Sequence, residues 1–199
     1  MILENLKGKI LDVGCDHSTL HKSIYNKFGK SVFGIDVNLR VYKNFPQVFK
    51  ASAESIPFKN NTFDSVVAGE LIEHLDNPNL FLNESYRILK KNGHLILTTP
   101  NKNSWINKIF KTLESYNRHD LPYEERHKIL FTKNSLIKLT SKHFHLRSFT
   151  YFVSDENSAT DNISKLNKIP FSFSLRRLIH RTLPLGFQEG MFFLFEVKK

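Results

Sequence analysis

The 199-residue chain is predicted to be an α/β protein built on a doubly wound, mostly parallel sheet. Three observations predict it. Short apolar runs alternate with helix-length amphipathic stretches, the pattern that gives a parallel sheet with helices on both faces. The first run, Ile10-Leu11-Asp12-Val13, ends on Gly14, where a residue without Cβ lets the chain turn sharply. The second run, Val32-Phe33-Gly34-Ile35, ends on Asp36, 22 positions after that glycine. An acid there is placed to accept hydrogen bonds from the ribose hydroxyls of a nucleotide lying across the strand ends.

Taken in order, residues 9–13 form the first strand, and Ser18 or Thr19 can cap a helix over about 18–29 through Leu20, Ile24, Tyr25 and Phe28. The second strand spans 31–36, and 37–46 suits a short helix stopped at Pro46. Residues 48–51 suit an edge strand and 63–68 a fourth strand. A helix over 79–91, with Pro78 at its start, aligns Leu82, Tyr86 and Leu89, and Gly93 stops it. The fifth strand, 94–99, is continuously apolar and ends at Pro100. A helix over 133–142, a strand over 145–153, an amphipathic helix over 174–183 and a last strand over 191–197 complete the chain. The whole, 1–199, reads as one domain, with 156–187 an insertion before the last strand.

Five segments resemble a known family. Leu11-Asp12-Val13-Gly14-Cys15, Gly34-Ile35-Asp36, Ala53-Glu54-Ser55-Ile56-Pro57-Phe58, Phe63 to Leu75, and Leu89 to Pro100 are similar, in order and spacing, to the class I methyltransferases that use S-adenosylmethionine (SAM). The likeness covers roughly residues 8–132, with Methyltransferase type 11-like enzymes of the small-molecule branch nearest. It implies a Rossmann-like seven-stranded sheet with an antiparallel last strand, SAM as cofactor, and methyl transfer to a small-molecule or lipid-like acceptor. It also implies a donor site. Asp12, Gly14 and Cys15 would lie at the donor's amino-acid part, Asp36 at the ribose, Val37 against adenine, Ala53 and Glu54 at the base edge, and Glu70 under the methionine part.

Two positions depart from the family. Asp16 stands where a second glycine is usual. A carboxylate there either faces the donor's own carboxylate with like charge or turns to the donor's cationic side or to His17. Ser52 stands where an acid often precedes the alanine, which leaves the adenine amino group to Glu54.

Methyl transfer from a sulfonium needs alignment first, and a base only if the acceptor must lose a proton. His74, after the fourth strand, His127, in a His-x-x-x-Phe-Thr element, and Tyr123 are the candidates to face the acceptor, with His119 a further histidine. A histidine in such a place is more often structural than basic. Nine histidines without an HExxH or paired spacing predict no metal. Residues 101–132, polar and aromatic after a strand's carboxyl end, suit a lid.

Composition bounds the rest. With 40% apolar and 24% charged residues the chain has a globular balance. The lack of an apolar membrane-length run, of an N-terminal leader and of more than one cysteine points to a cytoplasmic protein. Of the +10 net charge, +6 falls in 133–199. Residues 169–187 carry three arginines and no acid, so they could meet an anionic or membrane surface; packing on the sheet with solvated arginines is the plainer alternative. RNA methylation is the alternative activity, disfavoured by the lack of an aromatic RNA-binding module. A non-catalytic SAM-binding protein is the other alternative. A nicotinamide oxidoreductase is excluded because only the first glycine of Gly-x-Gly-x-x-Gly is present.

Overall fold

The centre of the computed structural model is the strand β1 (Ile10–Val13), buried along its whole length. Residues 1–17, 19–104, 127–152 and 190–199 are described. Before β1 comes a single turn, α1 (Ile2–Asn5), and after it α2 (Leu20–Phe28), β2 (Val32–Asp36), β3 (Val48–Lys50) and β4 (Phe63–Gly69). Then follow α3 (Pro78–Ile88), β5 (Leu89–Pro100), α4 (Lys133–Thr140), β6 (Phe144–Phe152) and β7 (Gly190–Val197). The strand order is β3-β2-β1-β4-β5-β7-β6. β1 to β5 pair in parallel, and β7 runs antiparallel to both β5 and β6. The predicted mostly parallel sheet, with its antiparallel last strand, is the one observed.

Both faces of the central strands β1, β2, β4 and β7 are covered, which is why they are nearly all apolar. Leu11, Val13, Ile35, Val66 and Leu97 join Phe81, Leu82 and Leu136 on one side. Ile10, Val32, Val67 and Ile96 join Ile24 of α2 on the other. Phenylalanine supplies much of this volume: Phe63, Phe81, Phe192, Phe193 and Phe195 are fully buried.

Helix ends follow local chemistry. Asn77 accepts from the Asn79 amide at 3.1 Å with Pro78 in the first turn of α3, and Thr132 and Ser135 form a reciprocal capping box on α4. Thr19 precedes α2 but its side chain makes no capping bond.

Two expectations are corrected. Residues 37–46 are not a helix but a turn-rich loop, because the Asp16 carboxylate draws the amides of Arg40, Val41 and Tyr42 to itself. The helix expected to reach 91 ends at Ile88, and Leu89 instead opens β5, paired with Phe63. Leu89 is fully buried either way, so its helical spacing could not distinguish a last turn from a first strand residue. The expected helix 174–183, the insertion 156–187, Tyr123, His119 and most of the 101–132 segment lie outside the described residues. Among the described residues, no helix is long and apolar enough to cross a membrane.

Candidate active site

The strand order reverses between β1 and β4, and the crevice beyond their carboxyl ends is where ligands of such sheets bind. Gly14 leaves β1 at φ +75°, and a Cβ there would come within 2.9 Å of Leu71 after β4. Only glycine lets these two loops close on each other. The Gly14 amide donates to the Ile35 carbonyl at 2.8 Å, which ties the turn to the end of β2.

Asp36 ends β2 and is 5% exposed. Its Oδ2 accepts from the Asp16 amide at 3.1 Å and its Oδ1 from the Asn38 amide at 2.9 Å. A carboxylate offers about four acceptor positions, so one on each oxygen remains for a diol. Val37 beside it is 52% exposed, a bare apolar surface at the edge of the crevice.

Asp16 turns its carboxylate to the loop after β2. Its Oδ2 accepts from Arg40 N at 2.7 Å, its Oδ1 from Tyr42 N at 2.7 Å, and both oxygens lie within 3.1 Å of Val41 N. Oriented amides of this kind hold an anion well. Cys15, fully buried next to it, has its thiol pushed up by burial and by Asp12, Asp36 and Asp16.

Asp12 is buried, and its Oδ2 lies 3.1 Å from His21 Nδ1. Burial pushes its carboxyl up, while His21 pulls it back in part. Ala53 is buried; Glu54 turns its Oε1 to the Asn77 amide at 2.7 Å and gives its own amide to Ser52 Oγ at 3.1 Å. Ser52 therefore shapes the turn where the family often has an acid.

Across the crevice, Glu70 follows β4 at φ +51°, an unusual conformation for a side-chain-bearing residue and one found at functional sites. Its amide is held by the Thr98 carbonyl at 3.1 Å and by Thr98 Oγ1 at 3.2 Å. Protein around its carboxyl pushes it up to about 7, against an opposing bond from Thr98; Glu70 is nevertheless an exposed residue, and solvent weakens that push.

Sequence reasoning missed Glu73 and His21. Glu73 is fully buried. Its Oε2 accepts from Thr99 Oγ1 at 3.0 Å, and its Oε1 has no hydrogen-bond partner among the described residues. Burial first, then Glu70, hold its carboxyl well above the ordinary range. Its carbonyl accepts from the amides of Lys128 at 2.8 Å and Ile129 at 3.1 Å, which brings His127 back to this place. His74 and His127 meet edge to face with ring centroids 4.9 Å apart. One ligand atom from each of Glu73, His74 and His127 lies within 4.8 Å of the others. Such a set can take a proton or, with one carboxylate and two imidazoles, could hold a divalent cation, a grouping invisible to a search for HExxH. The only signal for Glu73 was three ionisable residues, Glu70, Glu73 and His74, within five positions of a strand end. Asn101 pairs with Phe131 at the end of β5.

Comparison with known proteins follows the same division. A family model described as a methyltransferase domain matches residues 11–97, the span from β1 to β5. The mitochondrial ubiquinone biosynthesis O-methyltransferase of Rattus norvegicus is 35% identical over 108 residues, 47% of this chain and 31% of that protein. The ubiquinone biosynthesis O-methyltransferase of Pelagibacter ubique is 34% identical over 124 residues, 57% of this chain and 46% of that protein. The match thus spans less than half of these relatives. A crystal structure of a SAM-dependent methyltransferase from Archaeoglobus fulgidus, 16% identical, superposes with a TM-score of 0.65 over 98% of this chain and 89% of that one, which shows a shared fold. With the family match lying on the strands and turns that build the crevice, residues 11–97 are similar to a methyltransferase domain, on a fold shared with a solved SAM-dependent methyltransferase.

Proposed function

We propose that this protein methylates an oxygen of a small, hydroxylated, lipid-like acceptor, in the manner named for the ubiquinone biosynthesis O-methyltransferases it resembles. The observation that carries the reading is the division of the crevice: a nucleotide-type half at Gly14 and Asp36, and an acid–imidazole half at Glu73, His74 and His127. SAM supplies a methyl group already activated by a positive sulfur. Asp36 holds the ribose through its two remaining acceptor positions, and Val37 covers one face of adenine. Ala53 and Glu54 border the base, while Asp12, Gly14, Cys15, Asp16 and Glu70 enclose the amino-acid end. The fit rests on the Gly14 turn, which has no room for a Cβ, and on the bare surface of Val37.

An oxygen acceptor must shed a proton as it is methylated. Glu73, whose Oε1 lacks a partner among the described residues and whose basicity is raised by burial, can take it directly or through His74 or His127. Tyr123 and the segment 101–132 close over the acceptor in this reading, and 169–187 meets an anionic surface. Equal co-sedimentation with neutral and anionic vesicles would end that last point.

The test is transfer of a labelled methyl group from SAM to a panel of hydroxylated quinone precursors, with RNA alongside. Label in a hydroxylated ring compound is expected. Label in RNA would favour the RNA alternative, and tight SAM binding with no product from any acceptor would favour a non-catalytic binder.

A further inference from the structure

We propose that His21 is a positioning residue for donor binding, tying Asp12 beneath the Gly14 turn while its ring wedges the loop at 40–45 in place. The inference rests on the reading that Asp12 and Gly14 line the donor site, and it concerns a residue that lies outside the family's motif positions.

The geometry has three parts. His21 is fully buried on α2, and its Nδ1 meets Asp12 Oδ2 at 3.1 Å. The ring packs against Tyr42 and Phe45, each with centroids 5.3 Å away, and Phe45 in turn packs on Tyr25 at 4.9 Å. Room for the ring exists because residue 34 is glycine: a Cβ there would stand 2.7 Å from His21 Cε1. The same loop is held from its other side by the Asp16 carboxylate on the amides of 40–42. His21 and Asp16 together join the turn after β1 to the loop after β2, the two segments on either side of the ribose acid Asp36.

The arrangement that satisfies the carboxylate has Nδ1–H donating to Asp12. Nε2 is then an acceptor with no partner among the described residues, which is less costly than an orphaned N–H. A side chain with no other polar contact is held here by one bond, and that bond has a chemical effect. Asp12 is buried, and burial alone favours the protonated acid; the His21 bond opposes this. The groups facing Asp12 are His21 from α2, Asp36 from β2, Cys15 from the following turn, and Tyr42 from the loop. Of these only His21 offers a side-chain hydrogen bond to the carboxylate. Without it, burial raises the Asp12 carboxyl unopposed by that bond, which weakens the negative charge beneath the donor's cationic end.

The experiment is SAM calorimetry on the full chain at pH 7 and pH 9, with melting temperatures, for wild type, His21→Leu, His21→Asn and Asp12→Asn. Loss of one bond to a charged group corresponds to about a tenfold weakening. His21→Leu is expected to bind SAM about tenfold more weakly at pH 7 and less weakly at pH 9, because higher pH favours the charged form of a carboxyl that burial raises. His21→Asn, whose amide can donate from the same position, is expected to stay within about threefold of wild type. Asp12→Asn is expected to be weak at both pH values, and adding His21→Leu should cost nothing more. A His21→Leu protein that binds like wild type would overturn the proposal, as would one whose affinity and melting temperature fall together with no dependence on pH. Failure of wild type to bind SAM would overturn the donor-site reading itself, whereas the variant outcomes above sink only the role of His21.

Discussion

In the donor half of the crevice two buried acids have their oxygens occupied by main chain: Asp16 by three amides, Asp36 by two. In the acceptor half Glu73 is just as buried, yet one oxygen has nothing to bind among the described residues, and its histidine neighbours are side chains that can rearrange. A carboxylate satisfied by fixed amides stays charged and rigid, suited to holding one ligand in one pose. A carboxylate short of partners sits high in free energy and becomes a proton acceptor or a ligand. In the proposed function a carboxylate thus serves binding on one side and chemistry on the other, and the difference lies in how many N–H groups point at it.

The sharpest way to break this comparison is Glu73→Gln. It preserves the Thr99 bond and removes the base, so turnover on the acceptor found in the labelling screen should fall by about 10²–10⁴ with SAM affinity unchanged. Stability should move the other way. A carboxyl raised in the folded state binds protons that the unfolded chain releases, so wild type loses stability as pH rises above the ordinary glutamate value of about 4.3. The glutamine variant escapes that loss and should be more stable at pH 8, by about 1–3 kcal/mol, read in urea melts. An equally active variant would remove Glu73 from the chemistry.

On the donor side Asp16→Ala leaves three loop amides without their acceptor. Roughly 3 kcal/mol of stability should be lost, together with SAM affinity, because 40–42 no longer hold their place. Retained SAM affinity would show that the loop is a bystander. Asp36→Ala should cost SAM ten- to a hundredfold, roughly 1.5–3 kcal/mol, with little change in melting temperature; unchanged calorimetry would refute its hold on the ribose.

The smallest effect comes from a partly exposed ion pair on α3. Arg87 binds Glu84 through two nitrogens at 2.8 Å, and Glu84 also takes the Ile56 amide at 2.8 Å. The Arg87 bond holds the Glu84 carboxyl below the ordinary range. Its contribution is therefore present above the unfolded value and lost as pH falls through the lower folded one. Glu84→Gln should flatten acid unfolding below pH 4.5 by under about 1 kcal/mol, since both side chains are partly exposed, while leaving SAM binding intact.

The donor half was legible in the sequence because its determinants are local. Ile10 to Gly14 and Val32 to Asp36 each specify a strand and its ending within a few residues, and parallel pairing then sets Gly14 beside Ile35. The acceptor half was legible only as a list of histidines. Its grouping depends on Lys128 and Ile129 reaching the Glu73 carbonyl across more than fifty positions, a pairing that no short window contains. The loop at 37–46 was misread for a similar reason: its amides answer to Asp16, a contact about 25 positions distant, and local propensity yields to it. His21 lay on the apolar stripe expected of a helix facing the sheet, where a histidine is easily passed over.

The one cysteine of the chain lies fully buried in the turn between Gly14 and Asp16, its thiol suppressed by burial and by three acids. It is therefore a natural clock for the donor loop. A thiol reagent can reach it only when the turn detaches from β2 and the 40–42 amides, so the rate of modification counts openings of the binding site in an otherwise folded protein. With no second cysteine to confuse the signal, a single absorbance trace would report the opening free energy at this turn, and its slowing by SAM would translate ligand affinity into closure of the turn.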